Sequence, residues 1–205
     1  MKLALNILLG LASIGLIYLL IESIRKPIAF DDTRKFREEH VQKRLKQTAE
    51  LQKIYKSLRN KYAVSYDSLK YGLTHDTFLV ELVSGDQYDT NTVVTREMVK
   101  LPAKDSLEGF IKQKSSEPDM TIDEYFAFLE SVPFSDGKVF YMKTGEAIVE
   151  GTDSMMTSTF EAGINIGAYM TEFDSASHVI YDPDYNPHNL RKIGDLYKPS
   201  TNGNW

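Results

Sequence analysis

The stretch Leu3–Ile24 reads LALNILLGLASIGLIYLLIESI, and it determines where the rest of the chain is placed. From Leu3 to Ile21 it contains no charged residue. A helix of about 20 residues crosses a hydrocarbon layer of about 30 Å, and Lys2 and Arg25-Lys26 border the apolar run on its two sides. The sequence therefore predicts a transmembrane anchor at residues 1–26. The lipid bilayer is the expected partner of residues 3–24.

A cleaved signal peptide is the alternative interpretation, because it also begins with a positive residue and an apolar run. The apolar run of a signal peptide is about 7 to 15 residues long and ends at a small-x-small cleavage site. Here the run is longer, and the sequence that follows it, Glu22–Pro27 (ESIRKP), offers no such site. These two features favour a permanent anchor.

Charge divides the chain into a basic and an acidic part. Residues 1–62 hold thirteen Lys and Arg against six Asp and Glu, whereas residues 63–205 hold eleven against twenty-three. An acidic head argues against nucleic acid as a partner, since phosphate binding needs a cationic face. The basic segment has two interpretations, contact with anionic lipid headgroups or an ordinary solvated helix face. The absence of cysteine excludes disulfides and thiolate metal sites.

The sequence pattern of residues 27–62 predicts a basic amphipathic helix. Pro27 is compatible with a helix start or a kink, and Asp31-Asp32-Thr33 can cap a new helix. No Gly or Pro follows until about Asn60. Apolar residues recur there mostly at intervals of three or four, at Phe36, Val41, Leu45, Leu51, Ile54, Tyr55, Leu58 and Tyr62. Because the pattern lacks sustained heptads, we expect this stripe to pack on the chain's own head rather than in a coiled coil.

Residues 63–205 predict an acidic, strand-rich head domain. Apolar and β-branched residues predict strands, and a capping box at Thr121–Glu124 predicts one helix. Lys143–Gly145 resembles a short hairpin turn. The predicted strands are Thr77–Val83, Thr92–Leu101, Lys138–Met142, Glu146–Glu150 and Thr159–Met170, the last with one buried face. The expected fold class is α+β, with a transmembrane helix, a long amphipathic helix and an antiparallel β-sheet head.

This layout resembles that of type IV pilins and pseudopilins. The run Gln47–Lys56, followed by Leu58–Tyr62 and Asp67–Leu69, is similar to the pilin segment in which a helix with a late aromatic residue passes into the head. Together with Ile193–Leu196 and the final Gly203–Trp205, it also resembles a family of single-pass bacterial envelope proteins to which no activity is attached. The resemblance implies an inner-membrane location, a periplasmic head and a pilin-like shape.

The resemblance does not extend to pilin processing. A prepilin has a Gly-Phe junction and an early Glu, whereas here Leu11 follows Gly10 and the first acidic residue is Glu22. Two indications of membrane orientation also conflict. The resemblance implies a periplasmic head, whereas six Lys and Arg within twenty residues after the anchor predict a cytoplasmic head by the positive-inside rule. We favour the periplasmic head that the resemblance implies.

Motifs for catalysis are absent from the sequence. It contains no GxSxG, P-loop, GxGxxG or HExxH motif, which argues against the common hydrolases, kinases and dehydrogenases. We therefore expect a non-enzymatic protein with no catalytic residues and no cofactor. The four histidines are scattered, at His40, His75, His178 and His188.

One segment has the spacing of a metal site. Asp182, Asp184 and Asn186 alternate as oxygen donors do in a calcium loop, but Pro187 stands where such a loop needs glycine. A rigid proline-rich turn is the favoured interpretation and a divalent ion the weaker one.

Three function classes follow from this sequence. The first is a structural or assembly subunit of a bacterial envelope complex, with a protein partner in the envelope and a possible homo-oligomer. The second is an accessory module that binds another envelope protein. The third, and the least favoured, is an enzyme whose site has no recognisable motif.

Overall fold

A single helix, α1 (Lys2–Arg59), runs through both the predicted anchor and the predicted amphipathic segment. The computed structural model describes residues 2–84, 95–115, 119–149, 155–171, 181–182 and 185–205, with the backbone alone at residues 2–5, 82–84 and 95–96. Within α1, the first half is exposed and the second half packs on the head. The exposed apolar segment and the segment that packs on the head are therefore the two halves of one helix.

No new helix begins after Pro27, so the predicted cap at Asp31–Thr33 is wrong. The Thr33 hydroxyl donates to the carbonyl of Ala29 at 2.7 Å, inside the helix. Asp31 accepts from Arg34 at 2.9 Å, one turn further along. Pairs with this spacing stabilise a continuing helix. These side chains serve that purpose instead of starting a second helix.

The helix ends at Arg59, three residues before the predicted boundary at residue 62. Asn60 has a φ of 55°, in the left-handed region, and its N–H donates to the carbonyl of Lys56 at 2.8 Å. Asn is one of the few residues that tolerates this conformation and commonly ends a helix in this way.

The head is α+β, as expected, and its described residues form three further helices and two small antiparallel sheets. The helices are α2 (Tyr66–His75), α3 (Ala103–Lys114) and α4 (Ile122–Glu130). The strands are β1 (Thr77–Ser84), β2 (Thr95–Pro102), β3 (Tyr141–Ile148), β4 (Met156–Asn165) and β5 (Leu190–Gly194), and a 3₁₀ turn (Ile166–Ala168) follows β4. The capping box of Thr121 and Glu124 begins α4, as predicted.

The strands pair in two separate groups. β1 and β2 form a two-stranded ribbon, and β3, β4 and β5 form a sheet with β4 in the centre. The chain terminus adds to the outer side of β5, where Ile193 pairs with Gly203 and the Gly194 N–H donates to Asn202. In the part of the chain that the structure describes, no strand pairs with the outer side of β3.

The core lies between the second half of α1, the three short helices and the three-stranded sheet. The expectation that α1 packs on its own head is confirmed. Its buried apolar residues there are Phe30, Val41, Leu45, Ala49, Leu51 and Tyr55. Phe36, which the sequence placed in the same stripe, is 54% exposed instead. It contacts the ring of Phe134 at the surface, with 5.6 Å between centroids.

The predicted hairpin at Lys143–Gly145 is wrong, because these residues lie inside the single strand β3. Gly145 is opposite Thr159 of β4. A Cβ on Gly145 would lie 3.2 Å from the carbonyl oxygen of Leu196. This glycine therefore permits close approach of another segment rather than a turn.

Strand β4 also differs from its prediction. It ends at Asn165, and its residues from Thr159 to Gly163 are all buried. A central strand covered on both faces loses the alternation of a half-exposed one.

Two helices, α2 and α3, are absent from the sequence prediction. α2 begins with a capping box in which Ser65 and Ser68 bond reciprocally, and this box uses Ser where the usual motif has Glu or Gln. α3 buries Ala103, Leu107 and Ile111, which are spaced by four residues. That spacing is the signal that identifies α3.

Two glycines give a matched test of this fold. Gly194 has a φ of 79°, and a Cβ there would overlap the Phe160 carbonyl, whereas a Cβ on Gly109 in α3 meets nothing within 4 Å. We expect Gly194→Ala to lower the free energy of unfolding by more than 2 kcal/mol, a rough figure for strain plus a lost strand contact. Gly109→Ala should raise it by about 0.5 to 1 kcal/mol. Chemical unfolding of the detergent-solubilised chain measures both, and equal effects would contradict the strand placement.

Candidate functional site

The first half of α1 presents an apolar surface that nothing in the described structure covers. Large apolar side chains there are half or more exposed, from 51% at Ile21 to 67% at Leu16. Its most apolar window has a mean hydropathy of 2.2 and no buried residue. So much exposed apolar surface is unfavourable in water. This end of α1 is compatible with one membrane anchor or a signal sequence.

The second half of α1 binds the head through polar side chains, beginning at α4. The guanidinium of Arg44 donates to the carbonyls of Phe128 and Ser131, at 2.8 and 2.5 Å. It also lies 3.9 Å from the centroid of the Phe128 ring. A cation that meets the last carbonyls of a helix satisfies acceptors that the helix leaves open. Arg44 thereby holds the C-terminal end of α4 against α1.

Gln52 makes the most enclosed of these contacts. Its side chain is fully buried. Its amide donates to the Ala63 carbonyl and accepts from the Ala63 N–H, both at 2.9 Å. The amide thus pairs with the backbone as a neighbouring strand would, and it satisfies two buried groups that would otherwise be costly. It positions the turn that leads from α1 into the head.

Arg59 joins the last turn of α1 to the end of α2. It contacts Asp76 with two parallel bonds, of 2.5 and 2.9 Å. The hydrogen bonds from Arg59 hold the pKa of Asp76 below its ordinary value. Two-pronged pairs of this kind fix orientation as well as distance.

Two more basic residues of α1 contact the head. Lys56 contacts the three-stranded sheet, and Arg37 contacts the residue after the 3₁₀ turn that follows β4. Lys56 donates to Thr157 and to the carbonyl of Ser158, each at 3.1 Å. The buried Arg37 donates to the carbonyl of Tyr169 at 2.7 Å. Several basic residues that the sequence assigned to a solvated or lipid-facing surface therefore hold the head to α1.

A polar contact also crosses the three-stranded sheet. The buried carboxylate of Glu161 on β4 accepts from Tyr141 on β3 at 2.8 Å and from Lys192 on β5 at 2.6 Å. Burial, together with the bond to Glu161, raises the pKa of Tyr141. Each member of this trio has a partner on a neighbouring strand, so the arrangement suits a structural contact between strands.

A cleft of about 740 Å³ opens at the end of α1 that is farthest from the anchor. Its walls come from the last turn of α1, the turn after it, α2, β3 and β4, and include Arg59, Lys61, Tyr62, Val64, Ser68, Glu146, Met156 and Ser158. Val64 and Met156 are 62% and 60% exposed at its rim. The mixture of hydroxyls, opposite charges and exposed apolar side chains suits a protein segment better than a small charged substrate.

The predicted metal-site residues serve other contacts where the structure describes them. Arg34 binds the carboxylate of Asp182. The amide oxygen of Asn186 accepts from the N–H of His188 at 2.9 Å, a local turn contact. Asp184 lies outside the described residues. Within the described ranges, no three His, Asp or Glu side chains gather as a metal site would require.

Comparisons of the chain with protein-family models, with curated proteins and with solved structures give no match.

The Arg59–Asp76 contact predicts a dependence of stability on pH. Because the pKa of folded Asp76 is lowered, its contribution is present above the unfolded value of about 3.9 and is lost as pH falls below it. The difference in melting temperature between the wild type and Arg59→Gln should therefore shrink from pH 7 to pH 3. Thermal unfolding in detergent measures it.

Lys104→Gln is the matched control, because it removes the same charge from an exposed pair with Glu108. Its difference from the wild type should stay small at both pH values. An Arg59→Gln difference that is equal at pH 7 and pH 3 would contradict the assigned role of Asp76.

Proposed function

We propose that this chain is a single-pass, membrane-anchored structural or assembly subunit of a bacterial envelope complex. The observation that supports this role is the continuity of α1 from the apolar segment into the core of the head. A head on a flexible linker can move through a large volume above the membrane. A head built around its own membrane helix instead keeps one height above the membrane and one orientation relative to it. From Ile24 to Arg59 the helix rises about 50 Å.

The use of the buried polar residues favours a structural over a catalytic role. The buried charged side chains that the structure describes are Arg37 and Glu161. Both join separate elements of the head, as shown by their bonds to Tyr169, Tyr141 and Lys192. Catalytic groups, by contrast, face a cleft that a substrate can enter.

The cleft favours a second candidate, an accessory module that binds one protein of another kind. Exposed apolar side chains continue from the cleft along the end of the sheet, with Ile148 at 57%, Met155 at 63% and Met156 at 60% exposure. An extended segment can also add to the outer side of an edge strand such as β3. Either candidate requires a protein partner at this surface.

Site-specific photo-cross-linking in native membranes separates the two candidates. With a photoreactive residue at Met156, we expect a ladder of self-linked products, since an assembly subunit meets copies of itself at its binding surface. One product with a different protein would instead support the accessory role. The exposed Lys43 on α1 is the control position. Products from Lys43 with none from Met156 would contradict a partner at the cleft.

The periplasmic placement of the head belongs to the same proposal. The positive-inside rule counts Arg34 and Arg37 in favour of a cytoplasmic head. Both residues have a role in the folded head, because Arg34 binds Asp182 and Arg37 binds the Tyr169 carbonyl. Their presence beside the anchor therefore has an explanation other than membrane orientation.

A reporter enzyme that is active only outside the cytoplasm, fused after Trp205, tests this placement. We expect activity in the full chain. The same reporter fused after Lys26 is the control for the anchor alone, without the head. Activity of a cytoplasm-only reporter after Trp205, and silence of the first one, would contradict a periplasmic head.

A further inference from the structure

The continuity of α1 converts residue number into height above the membrane. Each helical residue rises 1.5 Å, and the apolar run ends at Ile24. A typical tilt of about 20° shortens such heights by only about 6%. Pro27 does not end the helix, so heights can also be calculated from residue numbers for the part of α1 that packs on the head.

The head begins close to the membrane surface on this scale. Phe30, which is 1% exposed, comes six positions after Ile24 and so lies about 9 Å above the hydrocarbon edge. The polar headgroup layer on each side of a bilayer is about 5 to 8 Å thick. The lowest buried residue of the head therefore lies just above that layer.

Three residues from the C-terminal part of the sequence contact α1 at this height: Tyr181, Asp182 and Tyr185. The Phe30 ring contacts Tyr181 at 6.0 Å and Tyr185 at 5.4 Å between centroids. Arg34, one turn above Phe30, binds Asp182 and Asp31. These contacts hold Tyr181 beside Phe30, next to the level of the lipid headgroups.

We propose that the base of the head, where Arg25, Lys26, Ile28 and Tyr181 surround the buried Phe30, docks on the phospholipid headgroup layer of the membrane that α1 enters. The surface is continuous with the apolar face of α1, which identifies the bilayer as its occupant.

The side chains of the base suit this layer. Arg25 is exposed and Lys26 is 57% exposed, at the depth of lipid phosphates. Tyr is enriched at membrane interfaces because its ring is apolar and its hydroxyl is polar. Ile28, 54% exposed in between, adds an apolar contact. This inference depends on the membrane span and not on the assembly role, so the two can fail separately.

Fluorescence quenching in vesicles tests the docking with the full chain. The chain has one tryptophan, Trp205, whose ring lies 5.7 Å from the Lys46 ammonium. Lys46 comes twenty-two positions after Ile24, about 33 Å above the hydrocarbon edge. Headgroup-labelled nitroxide lipid should leave wild-type Trp205 unquenched. In a Trp205→Phe background, Tyr181→Trp should be quenched several-fold more strongly.

Ile28→Trp in the same background calibrates the headgroup depth. Equal quenching at positions 28 and 181 supports docking. Quenching at position 28 alone would overturn it, because the base would then stand clear of the lipid. Absence of quenching at both would overturn the height assignment itself.

Replacing Arg25 and Lys26 with Gln tests the two cations. In vesicles that contain anionic lipid, we expect weaker quenching at position 181 and no change at position 28. Unchanged quenching at both positions would overturn the contribution of Arg25 and Lys26.

Discussion

The continuity of α1, which runs on past Pro27 as one helix, is the constraint on which the rest of this structure depends. The same helix supplies the apolar surface at one end and much of the buried core at the other. Apolar packing holds the head on the helix, and polar side chains fix its rotation and register through directional contacts. Arg44, Gln52 and Arg59 each bind a different part of the head. Every surface of the head is consequently defined relative to the apolar end of α1.

The features that the sequence predicted correctly are those with local causes. A long uncharged apolar run and the capping box of Thr121 and Glu124 depend on residues a few positions apart. The wrong and missing predictions depend on distant contacts. Gly145 is a turn signal in the sequence, yet it lies in β3. There the carbonyl of Leu196 approaches it closely, which a residue with a side chain would hinder. The α2 cap was missed because Ser68 occupies the position where the usual motif has Glu or Gln.

The candidate site was less predictable than the fold. Spacing alone made Asp182 resemble a metal ligand, whereas its partner Arg34 lies far away in the chain. The contact of Gln52 with the Ala63 backbone leaves no pattern in the sequence, because an isolated Gln in a helix reads as a surface residue. The cleft is likewise formed by segments that only tertiary packing brings together. Identification of such a site requires the fold first.

The pairing of the chain terminus with β5 has a consequence for synthesis. The last strand and the residues after it, Asn202 to Asn204, close the sheet, and β5 packs on α1, which is made first. The buried face of α1 therefore stays partly uncovered until β5 and residues 202–204 have been synthesised. Contacts between residues so distant in sequence form slowly. The nascent chain passes through a stage in which α1 is complete while its apolar core face still needs protection from aggregation.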